Sequence, residues 1–247
     1  KSDLGYLGPI PEVAEAFVGF AQRHWGWTPD AAQVRMTTDV GVGVVEVIRA
    51  LSKPGDKVII NSPVYHNMNN WITELKCVSY DAPLHKDGLH YTLDFAAIEI
   101  GYKSGVKAHF FCSPHNPVGT VFSKAELIEL AELAKKYDVT IFSDEIHGPL
   151  TYLASDFHPF LSVSETAREV GICVTAASKS WNLAGLKCAT IITAHPKQLE
   201  RAKSMPMAVH YRASLFGAVA SATAYECFDW LDSALETMDS NRKFLAK

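Results

Sequence analysis

The residues with the clearest chemical potential lie in one stretch, residues 174–187, where a β-branched, apolar run turns polar at Ser178-Lys179. A lysine amine at the end of a buried strand is desolvated, which favours the uncharged form that acts as a nucleophile. Ser178 can donate a hydroxyl to an anion, and Lys187 can add a compensating positive charge. A nucleophilic amine beside an anion cradle is the arrangement that holds pyridoxal phosphate as a Schiff base. A Ser-Lys pair after a strand is more often an ordinary solvated strand end, so other segments must decide whether this stretch is a cofactor site.

Three further strand-like runs are each followed closely by a side chain that suits the same chemistry. Tyr65 could lay its ring against a planar ligand, although an aromatic plug under a loop is the commoner arrangement. Prolines flank His115-Asn116 on both sides, which holds the Asn116 amide in a fixed orientation. Asp144 emerges from a buried strand, where a carboxylate must be paired or exposed. Its partner could be a cationic ring nitrogen, and a helix or turn cap is the structural alternative.

A possible phosphate site lies earlier in the chain, where residues 37–43 (TTDVGVG) lead into a helix predicted over 44–51. Small residues at the start of a helix leave free backbone N–H groups that suit a phosphate. Glycines before a helix are also common for purely steric reasons, so the signal is weak alone.

Strands and helices alternate along the sequence. Strands are predicted at 34–36, 57–61, 77–80, 106–112, 140–143, 172–177 and 188–193, and helices at 11–25, 44–51, 67–76, 93–100, 123–137, 164–170, 196–205, 214–228 and 231–244, with polar loops at 81–90 and 151–162. This rhythm predicts an α/β fold, a three-layer α/β/α sandwich with a mostly parallel sheet. Ligands bind outside the carboxyl ends of such strands, so Tyr65, Asn116, Asp144 and Lys179 are expected on one rim. One shared site explains that coincidence better than four separate caps.

The bulk composition narrows the class of protein. The chain has 247 residues, 48% of them hydrophobic and 20% charged, which is typical of a globular domain. A net charge of −4 and the lack of a long basic run argue against nucleic-acid binding. No apolar run in the sequence is long enough to span a bilayer, and no signal peptide precedes the first helix. The five cysteines show no paired spacing, so we expect reduced thiols, a cytoplasmic protein and no metal site.

Three motifs carry a family resemblance, namely residues 113–119 (SPHNPVG), 143–147 (SDEIH) and 178–187 (SKSWNLAGLK). In order and spacing they resemble the fold-type I pyridoxal-phosphate enzymes of the class I/II aminotransferase family. His147, the 62–65 block (SPVY) and the 181–185 run (WNLAG) are most similar to the C–S lyase branch, the MalY/PatB-type cystathionine β-lyases. Aminotransferases often carry Tyr where His147 stands.

The resemblance implies a role for each residue that contacts the cofactor ring. Lys179 would hold the cofactor as a Schiff base and later move the Cα proton. Asp144 would pair with the pyridine nitrogen and keep it protonated. Asn116 would hydrogen-bond the phenolic oxygen with His147 nearby, and Tyr65 would stack on the ring.

The resemblance also implies a set of phosphate contacts. Ser178, Lys187 and the backbone N–H groups of Val40 and Gly41 would hold the phosphate. Many relatives have Arg where Lys187 stands, and Lys keeps the charge but loses the bidentate fork. Tyr6 resembles the tyrosine that reaches the phosphate of a neighbouring subunit, so a homodimer is expected.

The implied activity is β-elimination from cystathionine or a related sulfur amino acid, giving a thiol, pyruvate and ammonia. The alternatives are a class I/II aminotransferase and, in another class, a regulator that kept the fold without turnover. Because the sequence stops at Lys247 inside a predicted helix, we expect residues 1–247 to be a large cofactor-binding domain. The N-terminal arm and the small C-terminal domain, which carries the family's substrate-carboxylate arginine, would then be largely missing.

Overall fold

A computed structural model of the chain describes residues 10–152 and 154–246. Its strands are Val34–Thr37 (β1), Lys57–Ile60 (β2), Val78–Asp81 (β3), His85–Asp87 (β4), His90–Thr92 (β5), Ala108–Cys112 (β6), Thr140–Asp144 (β7), Gly171–Thr175 (β8) and Ala189–Ile192 (β9). Its α-helices are Pro11–Trp25 (α1), Val40–Leu51 (α2), Asn67–Glu74 (α3), Phe95–Lys103 (α4), Lys124–Lys136 (α5), Glu165–Val170 (α6), Ala177–Ser180 (α7), Pro196–Lys203 (α8), Met207–Tyr211 (α9), Leu215–Glu226 (α10) and Phe228–Leu245 (α11). Short 3-10 turns lie at Ala31–Gln33, Gly148–Leu150, Phe160–Ser162 and Ala184–Leu186.

Seven strands form one sheet in the order β1-β9-β8-β7-β6-β2-β3. The ladders that join β8, β7, β6, β2 and β3 are parallel, whereas β9 runs antiparallel to both β8 and β1. The prediction of a mostly parallel sheet is therefore confirmed. The parallel strands all present their carboxyl ends at one edge, where such sheets bind ligands.

Helices cover both faces of the sheet and give the predicted three layers. Alternate side chains of the central strands enter different cores, because successive residues of a strand point to opposite faces. Phe110 and Phe142 pack with α2 and α3 on one face. Phe111 and Ile141 pack with α1, α4 and α5 on the other. Asp144 follows Phe142 by two positions, so its side chain lies on the α2 face.

The structure corrects several sequence-based boundaries. Helix α2 begins at Val40, four residues earlier than predicted, because the Asp39 side chain caps it by accepting from the Val42 N–H at 2.9 Å. The predicted loop at 81–90 contains the β4–β5 hairpin, which turns at Gly88 with φ +59°. That hairpin is almost wholly exposed, so it lacks the apolar alternation that predicts strands. Helix α9 was not predicted, and α11 begins at Phe228 rather than at residue 231.

Other local predictions are confirmed. The capping box at Ser123 and Glu126 starts α5, with both reciprocal hydrogen bonds present. Helix α1 has the predicted bounds and ends at Gly26, which adopts the left-handed conformation at φ +63°. In the part of the chain that the structure describes, no helix is both long and apolar enough to cross a membrane.

Candidate active site

A cavity of about 460 Å³ lies at the carboxyl edge of the sheet, on the α2 face. Every sequence-predicted site residue within the described ranges borders it. The lining residues are Asp39, Val40, Gly41, Tyr65, Asn67, Met68, Trp71, Cys112, Asn116, Asp144, Ile146, His147, Ser178, Lys179, Ala184, Lys187 and Cys188. Tyr6, the remaining predicted residue, lies outside the described residues. The structure thus brings the predicted residues together, and their individual roles stay predictions.

Asp144 is the last residue of β7 and forms the buried acidic wall of the cavity. Its side chain is almost fully buried, with an exposed fraction of 6%, and Oδ1 accepts a hydrogen bond from the Ile146 N–H at 3.1 Å. Burial raises the pKa of Asp144 to about 6, although the Ile146 N–H and the charge of Lys179 oppose the shift. A buried carboxylate with so few partners within the chain suits a cationic group placed in the cavity.

Glu145 follows directly but faces the other side of the sheet, away from the cavity. Its Oε1 accepts from the Phe160 N–H at 2.7 Å, the Ser143 hydroxyl at 3.0 Å and the Cys173 thiol at 3.3 Å. Burial raises the pKa of Glu145 to about 7, and these hydrogen bonds oppose that shift. Of two adjacent buried acids, only Asp144 can therefore meet a ligand in the cavity.

Lys179 lies in the short helix α7, four residues beyond the end of β8. Its side chain is exposed to the cavity, whereas the sequence analysis expected it at a strand end where burial would desolvate its amine. The expectation is wrong for the protein alone, because Ala176 to Ser178 carry the lysine beyond the buried sheet. The amine is free to reach a ligand that lies against Asp144, and that ligand would exclude water from it.

Another part of the cavity lining is suited to an anion. The N–H groups of Val40 and Gly41 belong to the first turn of α2, where a helix offers no internal acceptors. Lys187 places Nζ 3.1 Å from Asp39 Oδ2, and Ser178 is half-buried nearby. A positive helix end and a lysine thus face the same space, consistent with the phosphate contacts that the sequence motifs imply.

Tyr65 and Asn116 form a third side of the cavity. The loops that carry them are joined directly, because the Tyr65 N–H donates to the Asn116 carbonyl at 3.0 Å. The Asn67 amide donates to the Tyr65 hydroxyl at 2.5 Å, and the Trp71 ring lies edge-on to Tyr65 with centroids 6.1 Å apart. These contacts fix the orientation of the phenol ring against the cavity.

His147 completes the lining close to Lys179. Its side chain is half-buried, and burial lowers its pKa, with a further contribution from the positive charge of Lys179. The imidazole is therefore neutral at neutral pH and offers one N–H and one acceptor nitrogen. Among residues 10–152 and 154–246, no group of three or more His, Cys, Asp or Glu side chains could hold a metal ion.

Sequence reasoning missed several residues of this lining, among them Asp39, Asn67 and Trp71. Asp39 caps α2 and pairs with Lys187, and its position before a run of small residues is an N-cap signal that could have found it. Asn67 and Trp71 lie on α3, two and six residues after Tyr65. Helical periodicity does not indicate that these two residues face the cavity, because their orientation depends on how α3 packs.

Comparison with known proteins decides the family. A family model described as "Aminotransferase class I and II" matches residues 3–247. The chain belongs to that family. Among curated members, a cystathionine beta-lyase of Corynebacterium glutamicum is 35% identical over 244 residues, covering 98% of this chain and 64% of the relative. Cystathionine beta-lyase PatB of Bacillus subtilis is 31% identical over 202 residues, covering 81% and 51%.

Solved structures of aminotransferase-family proteins share the fold. Cystalysin from Treponema denticola, whose crystal contains a pyridoxal 5'-phosphate cofactor, superposes with a TM-score of 0.93 at 32% identity, covering 99% of this chain and 63% of that one. The pyridoxal-phosphate-bound C–S lyase from Staphylococcus hominis gives a TM-score of 0.90 at 26% identity, covering 98% and 62%. This family member therefore spans less than two thirds of the length of the relatives it matches.

Proposed function

We propose that the chain forms the cofactor-binding large domain of a pyridoxal-phosphate-dependent C–S β-lyase. The substrate would be cystathionine or a related sulfur amino acid, and the products a thiol, pyruvate and ammonia. One observation carries the proposal: Lys179, Asp144, Asn116 and Tyr65 border a single cavity, whose lining also includes groups suited to an anion. The names of the relatives at 31–35% identity support the lyase branch of the family.

The cavity suits pyridoxal phosphate in size and in the chemistry of its lining. Its volume of about 460 Å³ lies within the range of roughly 300–1,000 Å³ that is common for small-molecule sites. For a cofactor with a basic ring nitrogen and a phosphate, the lining offers Asp144 to the nitrogen and Lys187 with the start of α2 to the phosphate. The exposed Lys179 amine belongs to the same lining.

Each side chain has a defined task in such a reaction. Bound pyridoxal phosphate would supply the electron sink that stabilises negative charge at Cα. Asp144 would accept a hydrogen bond from the ring N–H and keep that nitrogen protonated. Lys179 would take the Cα proton on Nζ and hold it within the cavity. Asn116 would donate its amide to the phenolic oxygen, and the Tyr65 ring would cover one face of the cofactor.

The neutral His147 imidazole supports the lyase over the aminotransferase alternative. Its free nitrogens lie close to Lys179, so it can exchange a proton with that amine or with a leaving thiolate, which a tyrosine of ordinary acidity does less readily at neutral pH. An aminotransferase would need the same Lys179, Asp144 and Asn116, and would differ in where the proton returns.

The test is to supply the full-length enzyme that contains this domain with pyridoxal phosphate and cystathionine in the absence of any keto acid. Continuous release of pyruvate and thiol is the expected result. A single half-turnover that leaves the pyridoxamine form would establish an aminotransferase instead. Cofactor binding without either reaction would leave the regulator alternative. Borohydride reduction followed by mass mapping should place the cofactor label on Lys179, and a label elsewhere would overturn the site assignment.

We further propose a cytoplasmic homodimer. The five cysteines are all free and four of them are buried, which suits a reducing compartment. Helix α10 exposes Phe216 and Val219, at 79% and 57%, and packs against the segment that ends in Lys187. An apolar surface beside the cavity rim suits a second copy of the chain. Light scattering should give twice the chain mass, and Phe216→Glu should reduce it to that of one chain.

A further inference from the structure

His115 lies between the two loops that present Tyr65 and Asn116 to the cavity, yet it does not border the cavity itself. Its side chain is buried, with an exposed fraction of 1%. Nε2 lies 3.0 Å from the Pro63 carbonyl oxygen, and Nδ1 lies 3.2 Å from the Cys112 carbonyl oxygen. The ring therefore spans from the end of β6 to the loop that follows β2.

Both ring nitrogens face carbonyl oxygens, which can only accept hydrogen bonds. Burial lowers the pKa of His115, although the carbonyl oxygens of Pro63, Cys112 and Asn61 oppose the shift. A neutral imidazole carries one N–H and can donate to one carbonyl oxygen only. The shorter distance favours Nε2–H donating to Pro63, the partner in the other loop.

The contact with Pro63 adds to a second bond between the same loops. The Tyr65 N–H donates to the Asn116 carbonyl at 3.0 Å. The consecutive residues His115 and Asn116 therefore bond to two residues of the other loop. The His115 backbone is itself fixed by two hydrogen bonds, from its N–H to the Thr120 carbonyl at 2.8 Å and from the Gly119 N–H to its own carbonyl at 2.7 Å. A displacement of the Pro63 loop would move Tyr65 directly.

We propose that His115 is a positioning residue that sets the separation of the Tyr65 ring and the Asn116 amide through an Nε2–H bond to the Pro63 carbonyl. This inference rests on the proposed function, because those two side chains would contact pyridoxal phosphate. His115 touches neither the cofactor nor the substrate. Its contribution is the pre-organisation of two contacts that binding would otherwise have to order.

Two substitutions separate the hydrogen bond from the bulk of the ring. In His115→Gln the terminal amide can occupy the place of Nε2 and still donate to Pro63. In His115→Asn the shorter amide replaces Nδ1 and cannot reach it. We expect His115→Asn to raise the dissociation constant of pyridoxal phosphate about tenfold, the cost of one net hydrogen bond, and His115→Gln to raise it no more than about threefold.

A matched control removes a hydrogen bond on the other face of the sheet. Tyr137→Phe deletes the hydroxyl that donates to Glu99 at 2.7 Å. It should lower the melting temperature and leave cofactor affinity unchanged. The proposal is overturned if His115→Asn binds the cofactor within twofold of the parent protein, or if Gln and Asn weaken binding equally.

The tautomer of His115 gives a measurement that needs no stable variant and no cofactor. Nitrogen-15 NMR of the cofactor-free protein should show the proton on Nε2 of His115. A proton on Nδ1 would direct the hydrogen bond to Cys112 at the end of its own strand and would overturn the proposal. If the parent protein binds no pyridoxal phosphate at all, the proposed function fails, whereas the tautomer still tests the link between the loops.

Discussion

The Lys187 ammonium lies 3.1 Å from Asp39 Oδ2, which joins two segments that are 148 residues apart in sequence and that both border the cavity. Both side chains are substantially exposed, at 54% and 38%, so the ion pair alone adds little to stability. Asp39 also caps α2, and its carboxylate therefore holds the lysine beside the free N–H groups of the first turn. The pair places a cation beside the N–H groups that the proposed phosphate would meet.

Replacing Lys187 with methionine should weaken the binding of pyridoxal phosphate by about 10- to 100-fold, because one charge-assisted hydrogen bond contributes on the order of 1.5–3 kcal/mol. Pyridoxal, which lacks the phosphate, should bind the variant as it binds the parent. Spectral titration with the two compounds measures both effects. Lys197→Met, which removes a lysine paired with Asp138 at 3.0 Å outside the cavity, is the matched control. Equal losses for both compounds would contradict a phosphate role.

Replacing Lys179 with alanine should abolish the borohydride-dependent label and lower turnover by at least about 10³-fold, because the variant lacks both the nucleophilic amine and the proton carrier. The melting temperature of the cofactor-free protein should stay within about 1 °C, since the side chain is exposed and surface substitutions of this kind are nearly neutral. Lys107→Ala, at another exposed lysine, should change none of these quantities. An unchanged visible spectrum in Lys179→Ala would refute the assignment.

Much of the fold follows from periodicity, because apolar runs in β6, β7 and β8 are buried throughout and are separated by helices with clear caps. The alternation of residues along β7 also indicates which of its two acids meets the cavity. Asp144 shares a face with Phe142 and Glu145 shares one with Ser143, so the burial of Phe142 against α2 decides which acid meets the cavity. The sequence analysis chose Asp144 by its resemblance to a family motif, and this alternation supports the same choice on physical grounds.

Other features could not be predicted because they depend on how separate segments pack. The pair of Asp39 and Lys187 forms only when the start of α2 and the turn after α7 meet at one edge of the sheet. Trp71 reaches the cavity because Gly41 leaves room for its indole, a contact between two helices. The exposure of Lys179 likewise depends on the length of the turn between β8 and α7.

Replacing Gly41 with alanine should weaken binding of the cofactor without lowering stability greatly. A Cβ at this position would lie 2.9 Å from Trp71 Cζ2, so the indole or the first turn of α2 must shift. The Trp71 ring is stacked on Phe110 with centroids 6.1 Å apart, which restricts its movement. Alanine favours a helix by about 0.5–1 kcal/mol over glycine and offsets part of the strain.

Gly19→Ala in α1 is the matched control, because nothing lies within 4 Å of its added Cβ. That variant should gain about 0.5–1 kcal/mol in free energy of unfolding and leave cofactor affinity unchanged. Gly41→Ala should raise the dissociation constant of pyridoxal phosphate by roughly tenfold, again with less effect on pyridoxal. Unchanged affinity in Gly41→Ala would show that the first turn of α2 tolerates the shift and does not bind the phosphate.

Replacing Asp144 with asparagine should stabilise the cofactor-free protein at pH 8 while it abolishes activity. Burial raises the pKa of Asp144 to about 6, above its usual value near 3.8, so the folded state binds more protons than the unfolded state between these values. Stability therefore falls as the pH rises through that window, by at most about 3 kcal/mol. Asparagine removes this dependence, and the melting temperature at pH 8 should rise by about 5 °C.

The gain should shrink to nothing below about pH 3, where the carboxyl of the parent protein is neutral in both the folded and the unfolded state. Glu145→Gln is the matched control, because burial raises the pKa of Glu145 to about 7 on the other face of the sheet. The stability gain of Glu145→Gln should depend on pH in the same direction. This variant should keep the cofactor spectrum, since the remaining Oε1 can still accept its three hydrogen bonds.

In Asp144→Asn, a ring nitrogen without an anionic partner loses its proton, and turnover should fall by at least about 10²-fold. If both variants retained turnover, the buried acid that meets the cavity would have no part in the chemistry.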